Sequence, residues 1–412
     1  MKTSTVKVRE LLLDMLAPAR VINREDVAAL DDKDWGNFNR MARQHRLASA
    51  LHLEWQARGA EWGVPALVRT EWSEAYRTAA LRALKLQATL VMIHDVLSDA
   101  GIHYVALKGA TLAWRVYSQA AARPMRDLDI LVAKSDVQRA RDVMIGAGFV
   151  IPAGVNMPDD YQFAHAKHLM GMYRPGLNIN VELHFDVVHA GMETAVSGAL
   201  DPAVLLDHSV VQTIGGRPVA MSSPTQTLLH LIVHAAYDHF FDNGPLVLTD
   251  VALLVRAEAI DWDDFWRRAA VGGWLRGAHL LLDLAQDAHG ELAINCPIGL
   301  SDAIPERIRQ ETRLAMVNDF ESRDGVRHIR MAVHARSMGA FLGYFMRGIF
   351  APRAAVAAWG SANAHGNWLP MLYVMRFIDK MKIGLGAIFI PTSRKAAHEL
   401  SGIASWLNAR DA

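Results

Sequence analysis

Cysteine is all but missing: 412 residues hold one, Cys296, so neither an internal disulfide nor a thiolate metal cluster can form. A reducing cytoplasm is the compartment this suits. Surplus charge is missing too, since 43 basic side chains balance 43 acidic ones. A dedicated nucleic-acid binder carries a basic excess to neutralise phosphates, so no duplex partner is expected. Long apolar runs are also lacking. Leu11 to Leu16 is broken by Asp14, too short and too charged for a signal peptide. The stretch from Ser337 to Pro352 is interrupted by Arg347, and Ile383 to Ile390 is shorter still. Neither reaches the ~20 residues that span a bilayer. The first reads either as a buried helix with a snorkelling arginine or, less simply, as a membrane-surface segment.

What is present is core material. Half the residues are hydrophobic and 21% charged, enough for two to four structural units at roughly 100–200 residues each. Residues 1–98 read as an N-terminal helical region, with Asp34 as a cap before Trp35, Phe38 and Met41 and an uninterrupted run from Ala66 to Ala100. Nothing there concentrates chemistry, and it reads as scaffold. Residues 99–190 change texture and read as an α/β core. IHYVAL and DLDILV have strand character, and SDVQRARDVMIGAGF is a helix capped by Ser135 and closed by Gly146 or Gly148. YQFAHAKHLMGMYR and LNINVELHFDVV look like a hairpin around Pro175-Gly176. From about Asp201 the pattern returns to helices, with Pro224 opening one long helix and Asp261 capping another, so 191–412 read as a C-terminal helical region.

The chemistry sits on the expected strands. Side chains at i and i+2 share a face, so Asp127 and Asp129 stand together while Leu128, Ile130 and Val132 face a core. Alone, such a pair is most often a solvated edge. In VELHFDV, however, Glu182, His184 and Asp186 also share a face. A third carboxylate on a neighbouring strand is what two Mg²⁺ ions ~3.5–4 Å apart require for in-line phosphoryl chemistry. Lys108-Gly109 lies where a strand gives way to a helix, a place for phosphate, and Arg123 and Arg126 could add contacts to a nucleoside triphosphate.

The ordered set VALKGATLAWRVY, RPMRDLDILV and NVELHFDVV resembles the DNA polymerase β-type nucleotidyltransferase superfamily, and more closely its bacterial branch of uncharacterised nucleotidyltransferases. TLLHLIVHAAYD, DWDDFWRRAAVGGW and YVMRFIDKMK extend the likeness over roughly residues 35–385, with specific motifs only in 102–188. The resemblance implies an α+β fold, a small mixed sheet flanked by helical blocks. It implies Asp127, Asp129 and Glu182 as metal-binding and catalytic carboxylates, and Lys108-Gly109 in place of the usual glycine-serine phosphate turn. Lysine for the serine hydroxyl changes the donor geometry. The expected function is Mg²⁺-dependent transfer of a nucleotide to a hydroxyl of a small molecule, peptide or protein, the acceptor being unknown. The rival is a catalytically weak nucleotide-binding or antitoxin-like interaction protein.

Weaker signals remain. His230, His234 and Asp238 recur every four residues and either pack against the sheet or line the cleft. Leu231 stands where a zinc protease needs glutamate, which removes that reading. His165, His168 and His184 form a possible metal cluster, and Arg323-Asp324 with His328 has the spacing of some helical ribonucleases. With 18 histidines, both spacings arise readily by chance.

Overall fold

The structure, a computed structural model, describes residues 4–152, 158–188, 199–296, 304–318, 353, 356, 368–378 and 391–409. Arg323, Asp324, His328 and the stretches 337–352 and 383–390 lie outside the described residues. The N-terminal block is α1 (Ser4–Met15), α2 (Arg24–Ala28), α3 (Asp32–Gln44), α4 (Ala48–Arg58) and the long α5 (Ala66–Asp99). Asp31, not Asp34, caps α3, because its carboxylate accepts from the Asp34 amide and starts the helix one turn earlier. Trp35, Phe38 and Met41 then pack with Leu12, Met15, Leu51 and Trp72 in a core of their own. Leu86, Leu90, Ile93 and Leu97 stripe the second half of α5 and bury against the sheet. Each such side chain contributes roughly 1.5–3 kcal/mol.

The sheet has six strands: β1 (Tyr104–Ala106), β2 (Asp127–Val132), β3 (Met172–Tyr173), β4 (Asn180–His184), β5 (Val210–Ile214) and β6 (Arg217–Met221). Their order is β3-β4-β2-β1-β6-β5. The β2–β4 and β1–β6 pairs are parallel and the other three antiparallel, so the sheet is mixed. One face carries Leu128, Ile130, Val132, Val181 and Leu183 onto α5 and α7 (Val137–Gly146). The other carries Val105, Leu107 and Leu131 onto the C-terminal helices. The fold is α+β, with helices on both sides of the mixed sheet.

Four segments differ from the sequence reading. Residues 161–174 are mostly not strand: Pro158 and the acidic first turn Asp159-Asp160 start a helix, Asp159–His165, leaving only the two residues of β3. A short helix, Pro202–Asp207, does start at Asp201, whose carboxylate caps it, but the chain then returns to strand before the next helix. Val210–Met221 folds into a hairpin because Gly215 and Gly216, at φ 54° and 80°, supply the two positive-φ positions of a tight turn. The expected long helix beyond Pro224 breaks as well. It runs α-helically from Pro224 to Ile232, takes π geometry from Val233 to Asp238, and stops at Phe240 and Phe241 with φ 47° and 63°. The helix α7 begins after Asp136 rather than after a Ser135 cap, and Gly148 at φ 89° closes it.

A candidate metal and phosphate site

Parallel pairing of β2 with β4 puts Asp127 opposite Asn180, Asp129 opposite Glu182 and Leu131 opposite His184. Asp129 and Glu182 thus meet on one face by register alone. At the end of β4 the His184 ring turns back, its Nε2 3.2 Å from Asp129 Oδ1 and 3.6 Å from Glu182 Oε2. His168, bridged to His184 across the sheet edge, brings its Nε2 to 3.5 Å from Glu182 Oε2. The Asn180 amide donates to Glu182 Oε1 at 3.2 Å and orients the carboxylate. Asp186 falls beyond the strand, where it accepts from the Val187 and Val188 amides instead of joining this face.

Lys108 arrives from the turn between β1 and the helix α6 (Lys108–Arg115), itself tied down by the Leu107 amide donating to the Asp129 carbonyl at 2.9 Å. The Lys108 ammonium stands 3.1 Å from Asp129 Oδ2, and the residue has a φ of 41°, rarely adopted by lysine. Gly109 is required by close approach: a Cβ there would lie 2.8 Å from Arg123 Nη1 and 2.8 Å from Met125 Sδ. Arg123 forms a two-pronged ion pair with buried Asp250, at 2.7 and 2.8 Å, to which Tyr117 also donates. Arg126, next to Asp127 in the chain, is exposed.

The charges divide the carboxylates. Burial opposes ionisation of Asp129, but Lys108 and then His184 outweigh it and hold the group well below the usual carboxylate range. Asp127 has no such pairing: burial, then Asp129 and Glu182, push it up to about 6. His184 is raised because Asp129 overcomes burial, whereas His168 is lowered by burial and by His184. A second buried cluster backs the site. Lys167 Nζ is 2.9 Å from Asp238 Oδ2, and His234 Nδ1 reaches the same oxygen at 3.4 Å. Burial and the Lys108 charge hold His230 well below its ordinary value and His234 at about 4, so both are neutral.

Asp129, Glu182 and His184 can each place one ligand atom so that the three lie within 4.8 Å of one another. That donor set fits one divalent cation, although Lys108 already neutralises one Asp129 oxygen. Two oxygens and an imidazole suit manganese as well as magnesium, which prefers oxygen alone. Asp127 shares the face without belonging to this trio.

A profile of the family described as uncharacterised nucleotidyltransferase matches residues 31–290, well over half the chain. The chain belongs to this nucleotidyltransferase family. No curated protein matches it. The family match covers the sheet, all the carboxylates, Lys108 and the His230–Asp238 segment, together with α3 and α4 of the N-terminal block. Among the described residues, no helix is long and apolar enough to cross a membrane.

Sequence reasoning missed Lys167, Asp250, Arg82 and Arg46. HAKH flags Lys167 as a cation inside an apolar segment. The other three are brought in by tertiary contacts.

Proposed function

We propose that this nucleotidyltransferase moves a nucleotide from a nucleoside triphosphate to a hydroxyl of a small molecule, peptide or protein, with Mg²⁺ or Mn²⁺, as the polymerase β-type superfamily does. The observation that carries the reading is the meeting of Asp129, Glu182 and His184 on paired strands, with Lys108 on the adjoining turn. A divalent cation at that trio would neutralise charge on the transferring phosphoryl group and the departing pyrophosphate. Lys108 binds phosphate oxygens from its position at the start of α6, and Arg126 reaches them from its place next to Asp127. Glu182, held by Asn180 and His184, orients the acceptor hydroxyl and takes its proton. Asp127 completes the negative face. Its pKa, raised to about 6, leaves it mostly ionised at neutrality, and an arriving cation would favour that form further.

A second reading has an observation of its own. Lys108 already satisfies Asp129, as an internal cation would in a nucleotide-binding or antitoxin-like module with little turnover. An α-labelled triphosphate incubated with cell extract separates the two. Asp129→Asn and Glu182→Gln should each lower label transfer by ~10²–10³ while leaving the fold intact. Transfer that persists in both variants refutes the catalytic reading. Metal-dependent nucleotide binding without transfer by the wild type selects the binding module.

A further inference from the structure

The helix α3 ends in an unusual way for its backbone. The Leu47 amide donates to the Ala42 carbonyl at 2.7 Å and the Arg46 amide to the Arg43 carbonyl at 3.1 Å, which places Arg46 in the left-handed region at φ 59°. Three other helices, α5, α7 and Trp262–Val271, close with the same pair of bonds. They carry Gly101, Gly148 and Gly273 at the left-handed position. Glycine is the residue this motif favours, because a Cβ there crowds the following carbonyl. Backbone requirements therefore do not select arginine at position 46. Its side chain must supply the reason.

That side chain points to an anion. The half-buried Arg46 has its Nε shut off from solvent without a hydrogen-bond partner among the described residues. Arg82, Arg123 and Arg126 add positive charge near it, and the Asp127 carboxylate adds negative charge. Arg123 is already neutralised by Asp250. Arg82 is fixed by donating to the Met125 and Arg126 carbonyls at 2.7 and 2.6 Å, which holds the loop carrying Arg126 in place. Positive charge is thus left in excess around Asp127, on which Lys108 and Arg46 both act. Several cations around one carboxylate suit a polyanion better than a single phosphate, because several negative charges can be met at once.

We propose that Arg46, with Arg126, forms a polyphosphate subsite beside Asp127 that receives the tail of a nucleoside triphosphate, so that the N-terminal helical block takes part in binding. The subsite rests on the nucleotide reading above for its ligand, but its anion chemistry can be probed without a base or a metal. Calorimetry on the full chain with inorganic tripolyphosphate, in the absence of divalent cations, is the direct measurement. Arg46→Gly should keep or raise the thermal unfolding midpoint, since it relieves the left-handed strain, yet weaken tripolyphosphate binding by about tenfold or more. Arg126→Ala, on an exposed side chain, should weaken binding in the same direction. Arg43→Gln removes a neighbouring exposed cation that pairs with Glu71, and it should change nothing. Unaltered tripolyphosphate affinity in Arg46→Gly, or no binding by the wild type, overturns the subsite. The two ideas fail separately. Tripolyphosphate binding that depends on Arg46, in a protein indifferent to nucleoside triphosphates, keeps the subsite and removes the nucleotide reading. Undiminished nucleotide affinity and label transfer in Arg46→Gly keeps that reading and removes the subsite.

Discussion

Lys108 makes one charge serve two partners. Its ammonium is 3.1 Å from Asp129 Oδ2, where it would compete with any cation ligated by that carboxylate. It is also the cation best placed to meet phosphate at the start of α6. Lys108→Ala should therefore move two affinities in opposite directions. Triphosphate binding should weaken by about tenfold, the worth of a charged hydrogen bond, while divalent-cation binding strengthens. Titration of each ligand separately by calorimetry reads both. A parallel loss of both affinities would mean that Lys108 chiefly maintains the local fold. Its φ of 41° parallels that of Arg46 at 59°, and both cations act on Asp127 from conformations where glycine is the easier residue.

At the scale of elements, legibility followed periodicity. The alternation in DLDILV and VELHF exposed the carboxylate face because a strand repeats every two residues, whatever surrounds it. His184 was visible as a face-sharing residue, but its approach to Asp129 depends on a register that pairs Leu131 with His184 across two strands far apart in the chain. The helix at Asp159–His165 was misread because its apolar residues are few and its start signals, Pro158 and two acidic residues, outweigh strand propensity. Arg46 was invisible, since nothing local says that a helix end will face a sheet. Arg123 illustrates the same limit. Its position beside the aspartates suggested phosphate binding, yet its guanidinium is committed to Asp250 on the helix Leu246–Ala257, with side-chain exposures of 16% and 3%. Arg123→Ala should leave that carboxylate buried with only Tyr117 and cost ~3–5 kcal/mol in urea unfolding. Triphosphate affinity of the folded variant should stay unchanged. Full stability with lost affinity would return Arg123 to the phosphate site.

At the scale of the whole molecule, the two helical blocks hold each other as well as the sheet. The Arg9 guanidinium donates to the Leu314 carbonyl at 2.6 Å, Arg313 pairs with Asp14 at 2.5 Å, and Arg20 pairs with Asp287. The Ala19 amide donates to the Ala288 carbonyl at 3.1 Å, beside His289 at the end of the helix Leu275–His289. His289 is buried, 3.2 Å from Thr249 Oγ1. Burial, then Arg256 and Arg58, push it down to about 4. Arg58 belongs to the N-terminal block and Arg256 to the C-terminal one, so a proton on His289 would place three cations at the joint between blocks. The sign follows from linkage. An unfolded histidine titrates near ~6.5, so between there and about 4 the unfolded chain binds a proton that the native chain refuses. The stabilisation is complete above that window and is lost as pH falls through it, at most ~3 kcal/mol for a shift of this size. His234, also held at about 4, adds the same sign. Asp127, raised to about 6, adds the opposite one, because the native chain takes its proton first. His230 and His168, lowered as well, and His184, raised, also contribute, so the wild-type curve is a sum and only a difference isolates the joint. His289→Gln should flatten the dependence of stability on pH between 6.5 and 4, measured by urea unfolding at each pH. Wild-type and variant curves of identical slope would mean that native His289 takes its proton as readily as the unfolded chain does and that the joint tolerates it.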